Sequence, residues 1–144
     1  MIHGSHSVAQ TESIAAELAK TFRGGECVAL DGPLGAGKTQ FVRGLAAALG
    51  ANPRAVNSPT FVLLNIYNGG RIPLFHLDAY RVAGAEDFES IGFSELLEQN
   101  GVVVVEWASR VAKILPASRI TVTIEVTGKS DRRLLIEKLG DPAT

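Results

Sequence analysis

Gly32-Pro33-Leu34-Gly35-Ala36-Gly37-Lys38-Thr39 satisfies the spacing G-x-x-x-x-G-K-[ST] at every fixed position. Residues of these types in this order are suited to hold phosphate. The glycines take positive φ angles and let the backbone approach a ligand closely. The successive amides from Leu34 through Gly35, Ala36 and Gly37 to Lys38 and Thr39 then turn inward as an anion nest at a helix N-terminus. Lys38 adds positive charge near the β- and γ-phosphates, and Thr39 offers a hydroxyl to magnesium. At ordinary glycine frequency the pattern arises by chance in about one chain of this length in a few hundred. Gly128-Lys129-Ser130 imitates its end, but Thr123 stands where the first glycine is required, so this run reads as a turn.

Holding phosphate is not hydrolysing it. A second metal ligand is expected from an acidic residue at the end of a neighbouring buried strand. Glu106 follows Val102-Val103-Val104-Val105 and fits that place. Aspartate is the usual residue there, so Glu106 can instead orient water, or be an ordinary charge at a strand end. Asp31, which ends the strand before the loop, is a weaker rival. Ser58-Pro59-Thr60 is stiffened by its proline, which holds Ser58 extended. Thr60 can sense a γ-phosphate through magnesium as switch loops do, or the segment is a plain turn. Asp78, just past a predicted strand, either orders water or a metal's outer ligands or is structural. His76 reads as a satisfied structural histidine and Trp107 as a core residue.

Base preference is read only indirectly. A guanine-specific Asn/Thr-Lys-x-Asp stretch has its nearest counterpart in Gly128-Lys129-Ser130-Asp131, with glycine in the first position. Adenine is therefore favoured. A small-molecule kinase could use the same loop, and Arg110, Arg119, Arg132 and Arg133 are available for a lid, yet the chain is short for one. A nucleotide-binding regulator without important hydrolysis is the other alternative.

These side chains need a scaffold to position them. Ser7 and Gln10 have capping-box spacing, and Ile14, Leu18 and Phe22, with Ala15 and Ala19 beside them, mark a helix from Ser7 to about Thr21 that ends at Gly24-Gly25. Cys27 to Asp31 reads as a buried strand, followed by the glycine loop and a helix from Thr39 to Leu49 that stops at Gly50. Phe61 to Tyr67 and Ile72 to Leu77 form a hairpin around Asn68-Gly69-Gly70. Ala85 to Gln99 is helical with a break near Gly92. The four consecutive valines lack alternation, as in a central strand covered on both faces. Ser118 to Val126 and Arg132 to Leu139 are two further strands, although Leu134 to Leu139 also suits a helix. The pattern predicts an α/β fold: a mixed, partly parallel central sheet with helices on its faces and antiparallel additions.

Composition agrees with one folded domain. The chain has 144 residues, 46% of them hydrophobic and 20% charged, enough for a sizeable core and unlike a disordered chain. Fourteen Lys and Arg against 15 Asp and Glu leave a net charge of −1, which argues against a broadly basic nucleic-acid-coating surface. The single cysteine, Cys27, excludes an intramolecular disulfide and a zinc site of paired cysteines. No run approaches the ~18 apolar residues of a membrane span, and the N-terminus lacks a secretory pattern. A cytoplasmic protein without membrane contact is expected.

Taken together and in order, Gly32 to Thr39, Ser58-Pro59-Thr60-Phe61, His76-Leu77-Asp78-Ala79-Tyr80-Arg81, Glu89-Ser90-Ile91-Gly92-Phe93 and Val105-Glu106-Trp107 resemble the TsaE family, the ATPases of bacterial tRNA threonylcarbamoyladenosine biosynthesis. The resemblance spans nearly the whole chain and is weakest in the first few residues and beyond about Ser118. It implies a single P-loop NTPase-like αβα sandwich over 1–144 that binds ATP/ADP and Mg²⁺ and hydrolyses ATP slowly, activated by partners. It implies action with TsaB and TsaD on the adenosine beside the anticodon in tRNAs reading codons that begin with A, resetting that complex between turnovers, with tRNA contacted mainly through the complex. By motif, it assigns Lys38 and Thr39 to phosphate and metal, Thr60 to the switch-like threonine, Asp78 to the acidic residue of His-x-Asp, and Glu106 to the metal carboxylate. It also places Thr11 and a late arginine, Arg132 or Arg133, beside adenine. Pro33 and Ala79 depart from the usual Asp and Leu of the family. Proline is tolerable at the outer loop position, and Ala79 thins packing beside Asp78 without removing its carboxylate.

Overall fold

The computed structural model describes residues 1–56, 64–80 and 85–140. Their strands form one seven-stranded sheet in the order β1-β7-β6-β2-β5-β4-β3. The strands are β1 (Ile2–Ser5), β2 (Cys27–Asp31), β3 (Leu64–Tyr67), β4 (Leu74–Asp78), β5 (Val102–Glu106), β6 (Arg119–Val126) and β7 (Arg132–Leu139). The helices are α1 (Val8–Ala19), α2 (Lys38–Leu49), α3 (Ala85–Ser90) and α4 (Phe93–Glu98), with short 3₁₀ segments at Pro53–Ala55 and Ala108–Ile114. β6, β2, β5 and β4 run parallel; β7 and β3 run against them at either side, and β1 pairs antiparallel with β7. The mixed sheet with antiparallel additions is thus the architecture expected from the sequence.

Alternation along the parallel strands divides two cores. Val28, Leu30, Leu74, Val102 and Val104 face α1 and α2, where Ala15, Ala19, Phe41, Val42 and Leu45 cover them. Cys27, Ala29, Phe75, Leu77, Val103 and Val105 face the other way, under Phe88, Phe93, Leu96, Ala108 and Val111. The unbroken valines of β5 are all buried, because a central parallel strand has no solvent face.

Element ends differ modestly from the expectations. α1 is capped by Ser7, whose hydroxyl accepts from the Gln10 amide at 3.1 Å. Its fully buried side is Thr11, Ala15 and Ala19, while Ile14 and Leu18 are only partly covered. The reason is close helix packing: a Cβ on Gly44 of α2 would lie 2.4 Å from the Glu12 carbonyl oxygen and 2.9 Å from the Ala15 Cβ, so the small-residue side of α1 turns inward. Gly92, at φ 83°, separates α3 from α4 where the break was expected. β7 is a strand along its whole length, because every residue from Arg132 to Leu139 pairs with β6. β1 had no clear signal in the sequence. It is four residues long, pairs with β7 over Ile2 to Ser5, and alternation cannot be recognised in so short a run.

Candidate phosphate and metal site

The glycine loop joins the carboxyl end of β2 to the start of α2, at the edge where β4 and β5 also end. Ligands of open α/β sheets collect at that edge. Gly35 and Gly37 adopt φ of 78° and 107°, values that disfavour any side chain. Gly37 is the N-cap of α2 and provides no side-chain cap, whereas Ser7 caps α1. The first amides of a twelve-residue helix therefore depend on something other than a capping side chain, and an anion suits them.

Lys38 is buried. Its Nζ donates to the carbonyls of Gly32 at 2.5 Å and Pro33 at 2.9 Å, and lies 4.1 Å from the centre of the Trp107 ring. Burial pushes the ammonium pKa down, opposed by the charges of Glu106, Asp78 and Asp31. Trp107 holds φ at 57°. One side of it packs on the second core, and its ring lies 4.9 Å from that of Tyr80. It is thus both the core residue expected from the sequence and part of the cavity wall.

Register brings the acidic residues together. Asp78 of β4 pairs with Glu106 of β5. By alternation both carboxylates lie on the face that α2 covers, in line with Leu74 and with Val102 and Val104. Asp78 and Glu106 are 6% and 3% exposed, which makes them unusual as carboxylates. With Leu34, Lys38, Thr39 and Trp107 they line a cavity of about 420 Å³. Asp78 Oδ1 accepts from the Tyr80 amide at 2.8 Å. Asp31 is on the opposite face by alternation, and its Oδ1 accepts from the Ser109 amide at 3.1 Å, which holds the turn after Trp107. Among the described residues no group of three or more His, Cys, Asp or Glu can hold a metal. The hydroxyl of Thr39 and the carboxylate of Glu106 suit a hard cation that completes its shell with phosphate oxygens and water, the usual mode of magnesium.

A second cavity, of about 410 Å³, lies along the other side of the loop. Its lining includes Thr11, Gly35, Ala36, Gly37, Lys129 and Arg132. The close approach of α1 to α2 at Gly44 delivers Thr11 there; its hydroxyl is 2.7 Å from that of Ser5. Of the two late arginines, Arg132 reaches this cavity. It donates through Nε to the Ala36 carbonyl at 3.0 Å and through Nη2 to that of Gly35 at 3.1 Å. Arg133, one residue along the strand, points away and donates to Glu125. Thr60 lies outside the described residues, as do Ser58, Pro59, Phe61 and Arg81.

His76 and Tyr67 join the site unexpectedly. His76 is fully buried, as a structural histidine would be, but its Nε2 is 2.5 Å from Glu106 Oε2 and its Nδ1 is 2.9 Å from the Tyr67 hydroxyl. Tyr67 carried no such signal in the sequence. The β3–β4 pairing sets Tyr67 opposite Leu74 and Asn65 opposite His76, so Tyr67 meets His76 diagonally on the same face of the sheet.

The family profile described as threonylcarbamoyl adenosine biosynthesis protein TsaE matches residues 5–134. Two curated relatives share the name tRNA threonylcarbamoyladenosine biosynthesis protein TsaE. The one from Bacillus subtilis (strain 168) is 38% identical over 132 residues, covering 92% of this chain and 82% of its own length. The one from Treponema pallidum (strain Nichols) is 40% identical over 132 residues, covering 92% and 96%. The crystal structure of Bacillus subtilis YdiB superposes with a TM-score of 0.81 at 31% identity, over 97% of this chain and 86% of that one.

Proposed function

The chain belongs to the TsaE family of threonylcarbamoyl adenosine biosynthesis proteins, and from that membership we propose that it is a Mg²⁺-dependent ATPase serving this tRNA modification. The observation that carries the reading is the convergence of Lys38, Thr39, Asp78 and Glu106 on one cavity beside the glycine loop. In this reading the amides from Leu34 to Thr39, including those of Gly35, Ala36 and Gly37, cradle the phosphates. Thr39 and Glu106 hold Mg²⁺. Thr11 and Arg132 border the adenine of ATP or ADP.

Bound Mg²⁺ neutralises charge on the phosphates. Lys38 exchanges its Gly32 and Pro33 carbonyl partners for phosphate oxygens, and its charge stabilises the transferring group. Asp78 accepts a hydrogen bond from the attacking water and orients it. The water oxygen forms the new bond to the γ-phosphorus as the bond to the β-phosphate oxygen breaks, releasing ADP and inorganic phosphate. By its family motif, Thr60 is the threonine that registers the γ-phosphate. The small net charge of −1 supports contact with tRNA mainly through TsaB and TsaD, since phosphate contacts need Lys and Arg. Hydrolysis then resets that complex between turnovers in the cytoplasm. Among the described residues no helix is long and apolar enough to cross a membrane.

The test is ATP hydrolysis by the purified chain, alone and with TsaB, TsaD and tRNA, alongside multi-turnover formation of the modified adenosine. Partners should accelerate hydrolysis. Lys38→Ala should lower turnover by about 10²-fold or more, the usual cost of removing charge from a transition state, and modification should stop after about one turnover. Wild-type turnover by Lys38→Ala, or modification indifferent to it, sinks the proposal.

A further inference from the structure

We propose that His76 and Tyr67 are positioning residues that fix the carboxylate of Glu106 for its cation; this rests on the reading of Glu106 as the metal carboxylate. Tyr67, His76 and Glu106 come from β3, β4 and β5 in turn and form a continuous chain of hydrogen bonds across the sheet. A carboxylate only accepts, so the imidazole Nε2 carries the hydrogen donated to Glu106 Oε2. The other ring nitrogen, Nδ1, is 2.9 Å from the Tyr67 hydroxyl, which can either accept from it or donate to it. Asn65 Nδ2 in turn donates to that hydroxyl at 3.5 Å. Tyr67 thus anchors the far side of the imidazole, and the anchored ring holds Glu106 by Oε2.

Burial makes the arrangement stiff. His76 is 0% exposed, Glu106 3% and Tyr67 6%, so water competes poorly for these bonds and each is stronger than at the surface. Among the described residues His76 is the one side-chain hydrogen-bond partner of Glu106. The carboxylate has rotatable bonds of its own, and among the described residues His76 is what fixes it in the cavity that it lines with Thr39. A histidine on a ligating carboxylate here inverts the common arrangement of a carboxylate behind a ligating histidine, with the same effect of orienting the ligand.

Mn²⁺ serves as the metal probe. Its affinity for the full-length protein with bound ADP is measured by the electron paramagnetic resonance of free Mn²⁺, and ADP affinity is measured separately in EDTA. Loss of such an outer partner typically weakens metal binding about 10- to 100-fold. His76→Phe should therefore weaken Mn²⁺ binding at least about tenfold, approaching Glu106→Ala, with ADP affinity in EDTA unchanged. His76→Gln, which keeps a donor near Nε2, should recover most of the loss. Tyr67→Phe, which keeps ring and packing, should weaken Mn²⁺ binding several-fold and raise the Mg²⁺ concentration for half-maximal hydrolysis; it stands in should His76→Phe fail to fold. Wild-type Mn²⁺ affinity in both His76→Phe and Tyr67→Phe, with Glu106→Ala impaired, overturns the positioning role alone. Wild-type affinity in Glu106→Ala overturns the metal assignment and this inference with it.

Discussion

Asp78 and Glu106 are neighbours in the ladder, yet their surroundings give them different work. Glu106 is held by a histidine side chain, whereas Asp78 takes the Tyr80 amide on one oxygen and lines the cavity beside Lys38 and Trp107. A group that orients water acts on turnover, not on the diphosphate. Asp78→Asn keeps the size and the acceptor for Tyr80 but loses the charge. It should slow hydrolysis by about 10²–10⁴-fold, the range of a general base, while ADP affinity stays within about threefold of wild type on the same grounds. Calorimetry of ADP binding beside steady-state turnover checks this. A matching loss in both would mark Asp78 as structural. Among the residues singled out in the sequence, those of the glycine loop were the most legible, because their chemistry is carried by adjacent positions. His76 was legible only as a buried histidine, since its partners are nine and thirty residues away.

At the scale of elements, the approach of α1 to α2 decides where Thr11 sits. Gly44 makes that approach possible. Two effects oppose one another when it is replaced. Alanine gains about 1 kcal/mol of helix propensity over glycine. Overpacking costs about 1–3 kcal/mol, and the upper part of that range applies here because the added Cβ meets the Glu12 carbonyl and Cα, backbone atoms that cannot rotate away. Gly44→Ala should therefore be destabilising by about 1–2 kcal/mol and should weaken ADP binding as Thr11 shifts. Thermal unfolding decides the sign: a midpoint at or above that of wild type shows that α1 can slide. The helical spacing of Ile14, Leu18 and Phe22 revealed α1 but placed its buried side slightly wrong. Side-chain periodicity reports which residues are apolar, whereas Gly44 reports how near the next helix comes.

Across the whole molecule, the site occupies one edge of the sheet, where β2, β4 and β5 end, and the first residue of β2 lies at the opposite edge. That residue, Cys27, is 2% exposed in the second core, and burial pushes its thiol pKa up from 9.0 to about 12. The thiolate is therefore favoured in the unfolded chain. The stability tied to this group is fully present below pH 9 and is lost as pH rises from about 9 towards about 12. In urea titrations across that window, Cys27→Ala should lose stability with pH less steeply than wild type. An equal slope would show that the thiol does not report folding. At pH 8 a maleimide should leave the native chain unlabelled and react on unfolding, because the reactive thiolate is suppressed by burial.

The glycine loop, the strand before it, the helix after it and the central valine strand were determined by the sequence itself. Each depends on contacts within one stretch of chain: amides folding round an anion, a helix continuing from its cap, β-branched residues covered on both faces. Only the tertiary structure decided that Asp78 stands beside Glu106, that Arg132 and not Arg133 reaches the loop, and that His76 and Tyr67 stand behind the carboxylate. Those outcomes depend on register between strands distant in sequence. A shift of one residue in β4 or β7 would turn each of these side chains to the opposite face, and no local pattern records which register the packed cores select.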